Sequence, residues 1–224
     1  MHLAALRGNT GELTRLLSAG ADINETDAHG STPLMLAARF GATNAIGLLV
    51  GSGASITTEN TLGFTALRYA IENKKFETVA ALLGAGANPN ETYQKDGDQT
   101  ALMKAAAVDS FEVAATLLSA GADPNRGALG GYTALHRAAE AASGPVLSLL
   151  IEAGADINDA DDEGDTPLMW AAFRQNTPNA LLLLSRGANP SVQSARGEDA
   201  LSYARARGNV VLIERLETSA AEPV

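Results

Sequence analysis

The spacing of one short phrase constrains this chain more than any other feature. It reads GSTPLMLAA from Gly30, GFTALRYA from Gly63, QTALMKAA from Gln99, GYTALHRAA from Gly131, GDTPLMWAA from Gly164 and GEDALSYA from Gly197. The leucines of the phrase, Leu34, Leu67, Leu102, Leu135, Leu168 and Leu201, stand 33, 35, 33, 33 and 33 residues apart. Stepping back 33 residues from Leu34 reaches Met1, which opens MHLAA. A second phrase follows at constant phase: LLSAGADIN from Leu16, LLVGSGASI from Leu48, LLGAGANPN from Leu82, LLSAGADPN from Leu117, LLIEAGADIN from Leu149 and LLSRGANPS from Leu183. Such self-similarity means stacked copies of one small unit, each unable to bury its apolar face alone.

Within a copy the residues read as a helix pair. Thr32 is a good N-cap and Pro33 suits the first helical position, and Thr166 and Pro167 repeat the pair. Leu34, Ala37 and Ala38 fall on one helical face, and the alanines allow a neighbouring helix to approach closely. Gly41 ends the first helix, as Gly8 and Gly208 do in their copies. Leu48 and Leu49 anchor the second helix, and Gly53 terminates it.

A 33-residue period carrying T-P/A-L-x-x-A-A and L-L-x-x-G-A-D/N-x-N resembles the ankyrin repeat, over nearly the whole chain. The resemblance implies an all-α solenoid of stacked helix-turn-helix units with β-turn or hairpin fingers. Seven copies fit, at about 1–26, 27–59, 60–94, 95–127, 128–160, 161–193 and 194–217, as one extended domain with a tail at 218–224. The first copy lacks its finger, which fits either a truncated parent or a degenerate cap. The last copy, with Arg205, Arg207, Glu214, Arg215 and Glu217, has the polar face that a terminal cap needs.

Three places depart from the pattern. Ser55 and Thr57 replace the usual Asp/Asn and closing Asn, which predicts a less rigid finger. Two extra residues fall between Asn90 and Thr100; they form either a tolerated loop or a lengthened finger presenting Tyr93 to a ligand. Ser143 to Pro145 starts a second helix, where proline is acceptable.

Composition narrows the chemistry. Net charge is −10 and the pI about 4.7. An acidic surface argues against nucleic acid and against anionic membranes as partners. Cysteine is absent, which excludes disulfides, thiolate nucleophiles and Cys-rich zinc sites. No apolar run is long enough for a transmembrane helix and no signal peptide is visible, so the expected location is cytoplasmic. The three histidines, His2, His29 and His136, belong to separate copies, and no Ser-His-Asp arrangement emerges. The resemblance assigns His136 and His2 a structural hydrogen bond to the neighbouring finger. The densest carboxylate group, Asp159, Asp161, Asp162, Glu163 and Asp165, reads as a solvated finger tip, a docking patch for a basic partner or, more remotely, a divalent metal site; it lacks the framework of an EF-hand. The glycine-rich GALGGY from Gly127 is a turn and not a phosphate cradle. No cofactor and no enzymatic activity are expected.

The resemblance implies binding through finger tips and the inner face of the first helices. By phase, Arg39, Phe40, Phe64, Tyr132, Trp170, Phe173 and Arg174 fall there, and Asp161, Asp162 and Asp165 add acidity. Aromatic residues and arginine dominate binding hot spots. Trp170, Tyr69 and Tyr203 also suit packing between adjacent first helices. The expected partner is a protein, through a basic or apolar segment, bound by a monomer along a continuous groove; the alternatives are a structural or self-associating array or one domain of a larger protein and, remotely, a metal-binding or enzymatic protein.

Overall fold

A computed structural model of the chain describes residues 1–141 and 144–221. Among them the helices pair as the repeat predicts. They are α1 (His2–Leu6) with α2 (Thr10–Ser18), α3 (Pro33–Phe40) with α4 (Thr43–Gly51), α5 (Ala66–Glu72) with α6 (Phe76–Gly84), α7 (Ala101–Ala107) with α8 (Phe111–Ser119), α9 (Ala134–Glu140) with α10 (Pro145–Glu152), α11 (Pro167–Phe173) with α12 (Thr177–Ser185), and α13 (Ala200–Ala206) with α14 (Val210–Ala221). The strands β1 (Thr92–Tyr93) and β2 (Gln99–Thr100) are antiparallel and enclose a 3-10 turn at Gln94–Asp96. The chain forms two compact units, Met1–Ala122 and Asp123–Val224.

Local chemistry sets the helix starts. The Thr32, Thr65, Thr100 and Thr166 hydroxyls accept the backbone N–H three residues on, and Pro33 and Pro167 occupy first-turn positions. Asp199, where the pattern has Thr, caps α13 in the same way. Gly41 caps α3 in the left-handed region, at φ 76°. The corresponding turns after other first helices use Lys74, Asp109 and Gln175 at φ 53°, 51° and 59°, a conformation that costs a side chain energy.

Stacking buries the leucine and alanine face. In the first unit α1, α3, α5 and α7 pack in sequence, as do α2, α4, α6 and α8. In the second, α9, α11 and α13 pack in sequence, and α12 packs on α14. Leu34, Leu67, Leu102, Leu135 and Leu168 are fully buried, as are Ala38, Ala106, Ala139 and Ala172. The fingers are tight turns of one design: the N–H of Asp27, Asn60, Ala128, Asp161 and Ser194 donates to the carbonyl four residues on. A side-chain ladder joins successive loops. Asn24, Asn125 and Asn158 accept the N–H of Ser55, Asp156 and Asn189 at 2.8–2.9 Å, and the Asn90 amide donates to Gly121 O at 3.0 Å. Thr57 makes no such bond, in the finger where the expected Asp/Asn residues are missing.

α14 continues to Ala221, beyond the expected tail boundary at 218. The remainder of the tail, 222–224, lies outside the described residues, as does Ser143. Pro145 does open α10.

Candidate functional site

In the second unit the repeat brings four aromatic rings into one chain. Tyr132 lies just before Thr133, the N-cap of α9; Trp170 and Phe173 are one helical turn apart on α11; Tyr203 is the repeat equivalent of Trp170 on α13. Ring centroids are 5.2 Å apart for Tyr132–Trp170, 5.9 Å for Trp170–Phe173 and 5.9 Å for Phe173–Tyr203, each pair near perpendicular. Edge-to-face packing of this kind is favourable beyond the area it buries. The rings are only partly buried. Arg174, exposed, stacks on Trp170 and Phe173 and pairs with Glu140 at 3.2 Å, while Arg207 lies 4.2 Å above Phe173.

Three of these rings, Trp170, Phe173 and Tyr203, wall a cavity of about 350 Å³. Met169, which is buried, and the half-buried Trp170, Phe173 and Tyr203 form its apolar side. Asp161, Asp162, Glu163 and Asp165 from the preceding finger, with Arg196 from the next, form its polar side.

The four acids are not equivalent. Asp161 Oδ1 accepts the N–H groups of Glu163 and Asp165 at 3.0 and 2.9 Å, and its Oδ2 accepts Trp170 Nε1–H at 2.9 Å. Asp161 therefore shapes the finger and fixes the indole. Asp165 is only 6% exposed. Its carboxylate accepts the Tyr203 hydroxyl at 2.9 Å and Arg196 Nη2 at 3.2 Å, and its backbone carbonyl accepts His136 Nε2–H at 3.1 Å. Burial pushes the Asp165 carboxyl above the usual carboxylate range, with the Tyr203 hydrogen bond opposing. Tyr203 is itself pushed up to about 12, first by burial and then by Asp165. The expectation that Asp165 offers itself to a partner is thus corrected: it is an internal acceptor. Asp162 and Glu163 are exposed; Asp162 has no side-chain partner among the described residues, and Glu163 pairs only with Arg196, at 3.2 Å.

His136 makes the expected bond to the next finger, and His2 does the same to Ser31 O at 2.9 Å. The His136 Nδ1 accepts the Thr133 N–H at 3.2 Å, so the buried ring is held neutral, and burial lowers its pKa. His29 stands exposed on a finger tip, apart from both.

In the first unit Arg39 and Phe40 are exposed at the end of α3, and Arg39 stacks on Phe40 and Tyr69 at 5.6 and 5.7 Å. Phe64 is half-buried against Tyr69, at 5.0 Å, and under Arg68, at 3.7 Å. Tyr69 is buried, as packing between first helices requires, whereas Trp170 and Tyr203 keep an exposed side.

Tyr93 requires the second correction. It is 2% exposed and presents nothing to a ligand. The two-residue insertion closes into β1 and β2 and turns the ring inward, 4.8 Å beneath Arg68. Buried Arg68 pairs with Glu72 at 2.9 Å and with Asp96, and Asp96 also pairs with Lys104. Lys104 and Arg68 hold the Asp96 carboxyl below its usual range. These ion pairs draw the hairpin back onto the helices.

Arg196 was not among the residues singled out by phase. A signal was present: residues about one period apart become neighbours, so Glu163 and Arg196, 33 apart, meet as Glu140 and Arg174 do at 34.

Paired helices, fingers and a period-spaced aromatic ladder define a repeat solenoid. The ankyrin-repeat family model of three copies matches residues 1–93 and 102–194, and the chain belongs to that family. It is similar to the ankyrin repeat domain of Bcl-3, at 28% identity over 96% of both chains and a TM-score of 0.83. It shares its fold with the human ASB11 ankyrin repeat domain, at 24% identity over 100% of this chain and 98% of that one, with a TM-score of 0.85. A chain in the complex of the Bdellovibrio bacteriovorus predatory endopeptidase Bd0816 with the immunity protein Bd3460 is 28% identical over 82% of this chain and 96% of its own, with a TM-score of 0.74. No curated protein sequence matches significantly. Ankyrin-repeat domains are generally protein–protein interaction modules. Among the described residues no helix is long and apolar enough to cross a membrane.

Proposed function

We propose that this chain is a non-catalytic module that binds a protein segment on its first-helix face and finger tips, centred on the second unit. The observation that carries this reading is the partly exposed aromatic chain Tyr132–Trp170–Phe173–Tyr203 beside Asp162 and Glu163. Rigid rings bury large area at low entropic cost, and flanking carboxylates favour a segment bearing basic and apolar residues. Arg39, Phe40 and Phe64 offer a second, smaller patch in the first unit.

The test begins with capture of partners from a lysate of the source organism at moderate salt, and then measures the affinity of the captured protein for purified variants. Tyr132→Ala with Phe173→Ala is expected to weaken binding at least 30-fold, since a hot spot contributes about 2 kcal/mol or more. Unchanged affinity in a folded variant sinks the second-unit face; the same outcome for Phe64→Ala sinks the patch in the first.

A further inference from the structure

We infer that the cavity beside α11 is a receptor for the guanidinium of a partner's arginine, and that Arg196 sits in it as a displaceable internal ligand; this rests on the reading that the chain binds protein. The acids alone would carry no such assignment. The argument lies in their combination with aromatic walls and a resident cation, Arg196, that is outnumbered by the acceptors around it.

Arg196 comes from the following finger and keeps 57% of its side chain exposed, so it lies across the cavity without being locked in. Its Nη2 stands 3.1 Å from the Tyr203 hydroxyl, 3.2 Å from Asp165 Oδ2 and 3.2 Å from Glu163 Oε2. An Nη group has two protons, so these three oxygens exceed what it can donate. Asp162, also on the cavity wall, has no side-chain partner among the described residues. Asp161 and Asp165 spend their oxygens on internal donors, whereas Asp162 and Glu163, on the same cavity, retain acceptor capacity.

The apolar walls select the kind of cation. A guanidinium is planar and weakly hydrated, and it stacks on aromatic faces while its edge donates in a fork; an ammonium is a strongly hydrated point charge. Trp170 and Phe173 already accept stacked guanidinium groups from Arg174 and Arg207 on this surface. A volume of about 350 Å³ has room for an arginine head and part of its stem, and the excess of carboxylates supplies the charge complementarity.

Trp170 is the sole tryptophan and lines the cavity, so its fluorescence reads occupancy directly. The probe is a short acetylated and amidated Ala-Arg repeat peptide, compared with its lysine and its neutral citrulline counterparts. The arginine peptide is expected to give a saturable change in Trp170 emission; the lysine peptide binds several-fold more weakly and the citrulline peptide at least 10-fold more weakly. Arg196→Gln vacates the cavity and is expected to tighten the arginine peptide at least 3-fold. Asp162→Asn with Glu163→Gln, both at exposed positions, weakens it at least 10-fold while the thermal midpoint stays within a few degrees. Equal binding of the citrulline peptide, a saturable response in neither the wild type nor Arg196→Gln, or unchanged or weaker binding to Arg196→Gln overturns the inference. A captured protein that depends on Tyr132 and Phe173 but is indifferent to Asp162→Asn with Glu163→Gln also overturns it, and leaves the interaction reading standing.

Discussion

A single carboxylate, Asp161, ties the finger to the aromatic ladder, because its two oxygens take three donors. Asp161→Ala leaves all three N–H groups unserved, and a loss of about 2 kcal/mol is expected in urea unfolding. Trp170 emission should shift in the native baseline as the indole loses its acceptor; an unmoved baseline would show that the ring is held by packing alone. His136 carries a pH signature. Its ring accepts from Thr133 and so must be neutral, and burial lowers its folded pKa below the unfolded value of about 6.5. The folded state then binds fewer protons, so the contribution of His136 is complete above that value and is lost as pH falls through the folded pKa. Replacing it with glutamine keeps a donor towards Asp165 O and abolishes the titration. The stability difference between wild type and His136→Gln is expected to shrink between pH 7.5 and 5, with the carboxylates cancelling in the comparison. A constant difference would contradict the neutral buried ring.

At the scale of elements, the copies differ in how well each loop closes on the next. Thr57 stands where Asn24, Asn90, Asn125 and Asn158 reach across to the following loop. Restoring the rung with Thr57→Asn is expected to add about 1 kcal/mol to unfolding in urea. Gln175 adopts the left-handed turn that Gly41 and Gly208 make without strain. Gln175→Gly should stabilise by a few tenths to about 1 kcal/mol, the relief of strain being partly offset by backbone entropy. Helix phase, N-caps and the histidine bonds were legible in the sequence, because each depends on contacts within a copy or one period away. The fate of Tyr93 was not legible. Its burial depends on the pairing of Arg68 and Lys104 with Asp96, on separate elements, and an insertion breaks the phase that relates them. The docking role expected of Asp165 failed for a related reason. Phase places it on the right face, but only the packed neighbour reveals that Tyr203 and Arg196 consume its oxygens.

Stacked repeats hold together chiefly through contacts between neighbours, so their stability is a sum of local and interface contributions. This chain forms two compact units, and its one tryptophan lies in the second. Far-UV circular dichroism reports helices throughout, whereas Trp170 emission reports the unit that holds the cavity. Leu34 and Leu168 are repeat equivalents, both fully buried, one in each unit. Truncation of either to alanine costs about 2–5 kcal/mol. In a nearest-neighbour solenoid, Leu34→Ala is expected to bring part of the dichroism loss to lower urea while the Trp170 transition moves by less than half as much. Leu168→Ala should displace the Trp170 transition by its full cost. Coincident shifts of both probes in both variants would mean that the chain unfolds as one block. Substitutions anywhere would then reach the cavity through global stability, and affinities of variants would need correction for the folded fraction. Separate shifts would mean that the binding surface of the second unit can be altered and measured without regard to the first.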